Sequence, residues 1–112
     1  MTKKPFDLHG HIERQLRKVW QWFPPRAEAR KRVQVGKDLF TCESCGKQFT
    51  RKETHVDHKQ PVVAVTGWVD WNTFIDKLFC DVSNLQILCK KCHKEKTNAE
   101  NRTRRFDWGG MR

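Results

Sequence analysis

Four of the five cysteines in this 112-residue sequence form two Cys-x-x-Cys pairs, Cys42/Cys45 and Cys89/Cys92. Two thiolates at this spacing can face one ion, and two such pairs together meet the tetrahedral preference of zinc. An ion with sulfur at every position would be structural, because no position is left open for a substrate. We therefore predict one structural Zn²⁺, with Cys80 as a buried residue without a role. The alternative is that the four thiols stay reduced and pack as small apolar side chains.

Acidic and imidazole side chains lie between and just after these pairs. Asp57 and His58 fall on a predicted strand, where neighbouring side chains point to opposite faces, so the strand must bend or end there if both serve one site. His93 directly follows Cys92 at the start of a predicted helix. An Asp and a His brought together by the zinc clamp could bind a divalent cation that keeps positions open for water and phosphate.

The elements that must position these residues follow from apolar spacing and from glycine and proline. An amphipathic helix is predicted over His9–Phe23, ended by Pro24-Pro25, and helical spacing recurs over Asp70–Phe79. The remaining predictions are a polar helix over Arg26–Val33, a strand, knuckle and strand over Asp38–Thr50, a strand over Thr54–Asp57, a turn or helical entry over Asn84–Leu88, and a final helix over Cys92–Asn101. Together these elements predict an α+β fold.

Basic residues outnumber acidic ones by 23 to 13, which gives a net charge of +10 and a pI near 9.8. This balance favours a nucleic acid, because each Lys or Arg that meets a phosphate releases a counterion. An anionic membrane surface is the rival partner, but no stretch has the length of a membrane span and the first residues do not resemble a signal peptide. We therefore expect a soluble, cytoplasmic protein with no membrane association.

The sequence resembles the His-Asn-His (HNH) endonucleases, which have a ββα-metal fold. The resemblance rests on Asp57-His58 followed by Pro61, on Asn84-Leu-Gln-Ile-Leu-Cys-Lys-Lys-Cys-His93, and on the lysine-rich helix that follows. It covers roughly residues 40–97 and includes the paired cysteine knuckles. The Trp-x-Trp-Phe-Pro-Pro segment resembles small HNH proteins of bacteriophages, some of which lie beside the DNA-packaging terminase. The resemblance thus implies a bacterial host cytoplasm and a terminase as a possible partner.

Taken residue by residue, the resemblance implies that Asp57 and His93 bind a catalytic Mg²⁺, Mn²⁺ or Ni²⁺. It implies that His58 is the general base and that Asn84 fixes the loop between the two strands. A neutral imidazole suits the role of base, because its pKa near 6.5 lets it accept a proton at neutral pH. Without the resemblance, Asn84 would also be read as an ordinary helix cap.

Basic side chains surround these positions. Lysines in or next to the HNH segment are the candidate DNA contacts: Lys59, Lys90, Lys91, Lys94 and Lys96. A helix that carries them would meet mainly the DNA backbone, so little sequence preference is expected. Two interpretations remain for the arginines of the segment 26–33, a solvated helix face or an arm that contacts phosphates.

Position 97 and three further histidines complete the analysis of the site. Some HNH relatives carry another histidine one turn after the last His of the motif, and here that position is Thr97, so the catalytic cation has only two predicted protein ligands. His55 is either a third ligand, a substrate contact or a structural histidine, and we favour the last. His9 and His11 are expected to face solvent away from the site.

The resulting hypothesis is a metal-dependent DNA endonuclease that leaves 5′-phosphate and 3′-hydroxyl ends. A zinc-knuckle DNA-binding module without catalysis is the alternative. A thiol redox protein is disfavoured, because two Cys-x-x-Cys pairs occur without a βαβ pattern. The predicted organisation is a helical, basic segment over 1–37, the HNH domain with its zinc site over 38–101, and a basic tail over 102–112. The sequence does not indicate the oligomeric state.

Overall fold

The computed structural model describes the backbone of residues 5–109 and the side chains of residues 5–103. It contains four α-helices and five strands within these limits. The helices are α1 (Leu8–Trp20), α2 (Pro24–Val33), α3 (Trp71–Leu78) and α4 (Lys90–Gly109), and the strands are β1 (Gln34–Gly36), β2 (Leu39–Thr41), β3 (Gln48–Phe49), β4 (Thr54–His58) and β5 (Leu85–Cys89). The predicted α+β class is confirmed.

The two N-terminal helices begin at residues suited to a helix start. The Asp7 carboxylate accepts a hydrogen bond from the Gly10 backbone N–H at 3.0 Å and so caps α1. Pro24 and Pro25 occupy the first turn of α2, where a missing N–H removes no hydrogen bond. The prolines therefore begin the second helix, and α1 ends before them at Trp20.

A three-stranded antiparallel sheet, in the order β1-β2-β3, carries the first cysteine pair. The turn between β2 and β3 contains Cys42 and Cys45, and the Gly46 N–H donates to the Cys42 carbonyl at 2.9 Å. Gly46 has φ of 75°, a conformation that residues with a Cβ rarely adopt. The glycine thus allows the reversal that turns both sulfurs to one side.

The second sheet is an antiparallel ribbon of β4 and β5, with Asp57 opposite Gln86 and His58 opposite Leu85. α4 follows β5 directly and packs against both strands. This β4-β5-α4 unit places the second cysteine pair at the junction of β5 and α4. The segment 84–88 was predicted as a turn or helical entry, and that prediction was wrong, because Leu85–Cys89 is a strand buried along most of its length.

Two groups of buried side chains stabilise the fold. The larger core joins Trp20 of α1 and Ala29 of α2 to β4, α3 and β5, and the smaller surrounds Cys42, Leu88 and Cys89. Cys80 is half-buried and packs against the larger core.

The predicted boundaries at 37/38 and 101/102 fall within continuous structure. The turn between β1 and β2 spans the first boundary, and α4 spans the second before it ends at Gly109. Residues 1–4 of the predicted helical segment and 110–112 of the predicted tail lie outside the described residues. Among the helices that the structure describes, none combines the length and apolar character needed to cross a bilayer.

Candidate active site and metal centre

The four paired cysteines converge at one point. Their Sγ atoms all lie within 4.8 Å of one another, although one pair comes from the β2–β3 turn and the other from the β5–α4 junction. A zinc ion with bonds of about 2.3 Å to each sulfur fits a cluster of this size. In the described part of the chain, no other cluster of three or more His, Cys, Asp or Glu residues could bind an ion. The cluster is therefore a metal site, as predicted.

The thiols of this cluster differ in acidity. Burial raises the pKa of Cys42, but hydrogen bonds from the backbone of Cys45, Cys89 and Ser44 outweigh burial and lower it to about 6. A hydrogen bond with Cys89 raises the pKa of Cys92 to about 12. Neighbouring thiolates repel one another, so a proton remains on the cluster until a cation compensates their charge. Binding of a divalent cation here is therefore expected to release protons and to weaken as the pH falls.

The motif histidine of α4 lies beside the motif aspartate of β4. His93 Nε2 is 3.7 Å from Asp57 Oδ1, and the Asp57 side chain is only 14% exposed. Two donor atoms at this separation can both reach one cation at bond lengths near 2.1 Å. These two residues therefore fit a shared divalent cation. The structure shows no third His, Cys, Asp or Glu completing such a cluster in the described residues.

The other oxygen of Asp57 has two partners. Lys96 Nζ lies 3.1 Å from Asp57 Oδ2 and 2.8 Å from Glu100 Oε2, and Gln86 Nε2 donates to the same Asp57 oxygen at 3.1 Å. Burial lowers the pKa of Lys96, but hydrogen bonds to Glu100 and Asp57 outweigh burial, so the net shift is upward. Lys96 therefore stays charged and compensates the charge of Asp57.

His58 is the last residue of β4 and is 8% exposed. Its ring stacks on Trp20 at 4.8 Å between centroids, and Nε2 lies 2.9 Å from the Leu78 carbonyl oxygen. A carbonyl can only accept, so Nε2 carries the proton and the neutral ring keeps its lone pair on Nδ1. Burial is the main cause that lowers the pKa of His58, although the bond to Leu78 raises it. The ring is therefore neutral at physiological pH.

Asp57 and His58 line one cavity of about 510 Å³, although they lie on opposite faces of β4. Both side chains can serve one site only if the strand bends or ends at His58, and β4 does end there. The helix α1 contributes His9, Glu13 and Arg17 to the same cavity. His9 is exposed, as expected. Its ring centroid lies 4.5 Å from those of Trp68 and Trp71. Because His9 lines the cavity, the prediction that it lies away from the site was wrong.

Asn84 precedes β5 and contacts the two residues that follow His58. Its backbone carbonyl accepts from Lys59 N at 2.7 Å, and its side-chain Oδ1 accepts from Gln60 N at 3.4 Å. The antiparallel pairing of β4 and β5 creates this proximity. Asn84 thus links the start of β5 to the end of β4.

The remaining predicted residues lie around this centre. His55 stacks on His93 at 4.5 Å, and its pKa is lowered first by burial and then by the charges of His93, Lys90 and Arg30. Lys59 and Lys94 are exposed. Lys90 and Lys91 are exposed beside the cysteine cluster. Lys96, in contrast, forms the ion pairs with Asp57 and Glu100.

Comparison with known proteins identifies a relative of this chain. No family model and no solved structure matches the chain. Among curated proteins, the chain is similar to a "Probable HNH endonuclease" of Lactococcus phage SK1, with 37% identity over 81 residues that make up 70% of this chain and 70% of the relative. Identity at this level over most of both proteins, with the β4-β5-α4 unit in place, shows that the chain belongs to the HNH endonuclease family.

Proposed function

We propose that the protein is a metal-dependent endonuclease that hydrolyses DNA phosphodiester bonds to 5′-phosphate and 3′-hydroxyl ends. The observation that carries this proposal is the 3.7 Å approach of His93 Nε2 to Asp57 Oδ1, next to a cavity that Asp57 and His58 share. A protein that only binds DNA needs neither a half-buried carboxylate nor a neutral buried imidazole at this place. The similarity to a probable HNH endonuclease supports the same reaction.

His58 is the proposed general base. Its Nε2 donates to the Leu78 carbonyl, so Nδ1 accepts the proton of a water molecule while the water oxygen attacks phosphorus. The bond from phosphorus to the 3′ oxygen then breaks, and the leaving oxygen takes a proton from solvent water to give the 3′-hydroxyl end. Packing against Trp20 and the bond to Leu78 hold the ring in one orientation, which reduces the entropy lost on reaching the transition state.

Asp57 and His93 are the proposed ligands of the catalytic Mg²⁺, Mn²⁺ or Ni²⁺. When bound, such a cation supplies positive charge to the phosphate oxygens as negative charge develops on them. Gln86 and Lys96 hold the second oxygen of Asp57, which fixes the carboxylate that faces His93. Two protein ligands leave the other coordination positions for water and DNA.

Asn84 is the proposed positioning residue for His58. It accepts hydrogen bonds from the backbone of both residues that follow the base, and so restrains the chain where β4 ends. The exposed lysines of the HNH segment are the proposed contacts to the DNA backbone, which neutralise phosphates without reading bases. Lys96 joins them only when it leaves its ion pairs.

The proposal also includes a structural Zn²⁺ in the cysteine cluster. The division into a helical segment over 1–37, an HNH domain over 38–101 and a tail over 102–112 remains part of it. From the resemblance to phage proteins we further propose a role beside a DNA-packaging terminase in the cytoplasm of a bacterial host. Co-purification of the tagged protein with terminase subunits from infected cells tests that role.

Plasmid cleavage tests the central proposal. The zinc-loaded protein should convert supercoiled DNA to nicked or linear forms with Mg²⁺, Mn²⁺ or Ni²⁺, and ligase should seal the ends without prior kinase treatment. His58→Gln should cut slower by about 10² or more, because an amide cannot accept the proton. Glutamine can still donate to the Leu78 carbonyl, whereas His58→Ala would leave that buried acceptor unpaired and lower stability by about 1–3 kcal/mol.

The matched control is His11→Gln, which removes a histidine that does not line the cavity. Equal cutting by wild type and His58→Gln would remove His58 from the mechanism. Binding of DNA by the wild type without cutting in any of the three cations would favour the non-catalytic DNA-binding alternative.

A further inference from the structure

A second groove lies on the outer side of α2. It has a volume of about 540 Å³, and its charged lining consists of four cations and one carboxylate: Arg26, Arg30, Lys31, Arg51 and Glu28. None of the proposed nuclease residues lines it. The groove is therefore a separate concave surface with a strong positive charge.

Two of the three arginines in this groove are held in place by hydrogen bonds to neighbouring groups. Arg30 donates to Thr54 Oγ1 at 2.7 Å, and Arg26 donates to the carbonyl oxygen of Gln21 at 2.8 Å. The short 3-10 helix Arg51–Glu53 brings the third guanidinium from another part of the chain. Fixed guanidinium groups lose less entropy on binding an anion than flexible lysines do.

The same three guanidinium groups repel one another. Burial is the first cause that lowers the pKa of both Arg26 and Arg30, and the charge of Arg51 is the second. The buried Nε of Arg26 also has no hydrogen-bond partner in the described residues. A bound anion would relieve this repulsion and accept hydrogen bonds from the guanidinium groups.

Arg32, on the same helix, provides a contrast. It donates to the Glu43 carboxylate at 2.8 Å and to the Leu85 carbonyl at 2.9 Å, so its charge is already paired within the fold. The segment 26–33 is thus neither a uniform solvated face nor a uniform basic arm. Of its arginines, only Arg26 and Arg30 line the groove together with Arg51.

The groove extends along β4. Its Arg26 lies 4.4 Å from the centroid of the Trp20 ring, which stacks on His58, whereas its Arg30 lies at the opposite end of β4 from the candidate active site. Arg30 contacts Thr54, the first residue of the strand, and His58 is the last. Four residue steps of about 3.3 Å separate the two ends by about 13 Å, the length of a few nucleotides along a DNA strand. His55, next to Thr54, stacks on His93, so the groove and the site are connected along β4.

We propose that Arg26, Arg30 and Arg51 form a second phosphate-binding site, which holds the backbone of the bound DNA a few nucleotides from the bond that is cut. This inference rests on the proposed function, because it assigns the phosphates to the DNA substrate. The three arginines position DNA and do not take part in the chemistry.

Salt-dependent DNA binding tests the inference. A fluorescein-labelled 30-base-pair duplex is titrated with zinc-loaded protein carrying His58→Gln, in Mg²⁺ and between 50 and 200 mM salt, and anisotropy gives Kd. Each lost phosphate contact lowers the slope of log K against log salt by about 0.9. We expect a reduction of about 0.9 for Arg51→Gln and about 1.8 for Arg26→Gln/Arg51→Gln. Arg51→Lys keeps the charge and should retain most of the slope.

The control is Lys18→Gln/Lys77→Gln, which removes the same charge from α1 and α3, outside the groove. Unchanged slopes in both arginine variants would overturn the inference, as would an equal reduction in the control. Thermal melting verifies that each variant is folded. If the double variant does not fold, the slope for Arg51→Gln, a change at an exposed residue, decides the result. The wild type could bind DNA through these arginines and yet cut no plasmid. That result would refute the nuclease proposal but keep this phosphate-binding site. Absence of DNA binding would refute both.

Discussion

At the scale of single residues, the burial of His58 decides how the site can work. The ring is packed on Trp20 and bonded to the Leu78 carbonyl, so it contributes to the core as well as to the cavity. The proposed base therefore has a fixed orientation and a lowered pKa. Substitutions at this position change stability and activity together, and the variant must be chosen to separate them.

The pH dependence of cleavage follows from that lowered pKa. His58 must be neutral to accept a proton, so the single-turnover rate should fall only as the pH drops below about 6.5, the ordinary histidine value. The unfolded chain binds the proton at higher pH than the folded chain. Stability is therefore complete above about pH 6.5 and declines as the pH falls toward the folded pKa.

Rate profiles and thermal melts between pH 4.5 and 8 measure both effects. His11→Gln should keep the acid limb of the rate profile, and His58→Gln should reduce the pH dependence of stability. An acid limb centred above pH 7 would contradict the lowered pKa of the base.

Lys96 is expected to compete with a cation for Asp57, because its ammonium lies 3.1 Å from Oδ2. Lys96→Met should strengthen Mn²⁺ binding to the zinc-loaded, DNA-free protein by about five- to tenfold, because it removes a repulsion of roughly 1 kcal/mol between the ammonium and the cation. Isothermal titration calorimetry measures the change. Lys94→Met is the control, and equal Mn²⁺ affinity in all three proteins would contradict the competition.

The residues of the candidate site could be predicted from their types, but not all of their contacts could. Asp57, His58 and His93 could be selected from their types and from the HNH pattern. The placement of His9 in the cavity depends on how α1 packs against Trp68 and Trp71, which no local spacing records. The sequence likewise does not distinguish Lys96, which forms ion pairs, from the exposed lysines around it.

At the scale of elements, the β4-β5 ribbon determines which residues meet. Its register puts Asp57 opposite Gln86 and brings Asn84 next to the residues after His58. The strand Thr54–Asp57 was predicted to within one residue, since β4 spans Thr54–His58. The strand β5 was missed, because a short apolar run such as Leu85–Leu88 fits either a strand or a helix when it is read alone.

The linkage through Asn84 predicts a specific loss. Asn84→Ala removes the acceptor for Gln60 N but keeps the backbone bond from Lys59, so the fold should survive with a loss of about 1 kcal/mol. Cleavage should slow by about tenfold or more, as is typical when a group that orients a site residue is lost. Ser83→Ala, one residue earlier, is the control. Wild-type cleavage rates in Asn84→Ala would contradict a positioning role.

At the scale of the whole molecule, the cysteine cluster joins the two sheets. One pair lies in the β2–β3 turn of the first sheet, and the other follows the second sheet at the start of α4. The smaller core around these cysteines contains few large side chains, and the mean hydropathy of the chain is low, at −0.85. A bound ion is therefore expected to contribute a large share of the folding free energy of this region.

Metal removal should unfold the protein. Chelation is expected to abolish the native circular dichroism spectrum, and elemental analysis of the native protein should give one zinc per chain. Cys42→Ser should lose the ion, whereas Cys80→Ser should keep it, because Cys80 lies outside the cluster. Zinc retention should also fall at acid pH, since protons compete for the thiolates. A native spectrum after complete zinc removal would contradict the structural role.

The cysteine cluster and the proposed catalytic centre take neighbouring residues of the chain. Cys92 and His93 are adjacent in the chain, and one faces the cluster while the other faces Asp57. Binding of an ion by Cys92 is therefore expected to bring His93 beside Asp57 at the same time. A newly synthesised chain that has not yet acquired its metal would have no organised cutting centre, so maturation itself would delay DNA damage until folding is complete.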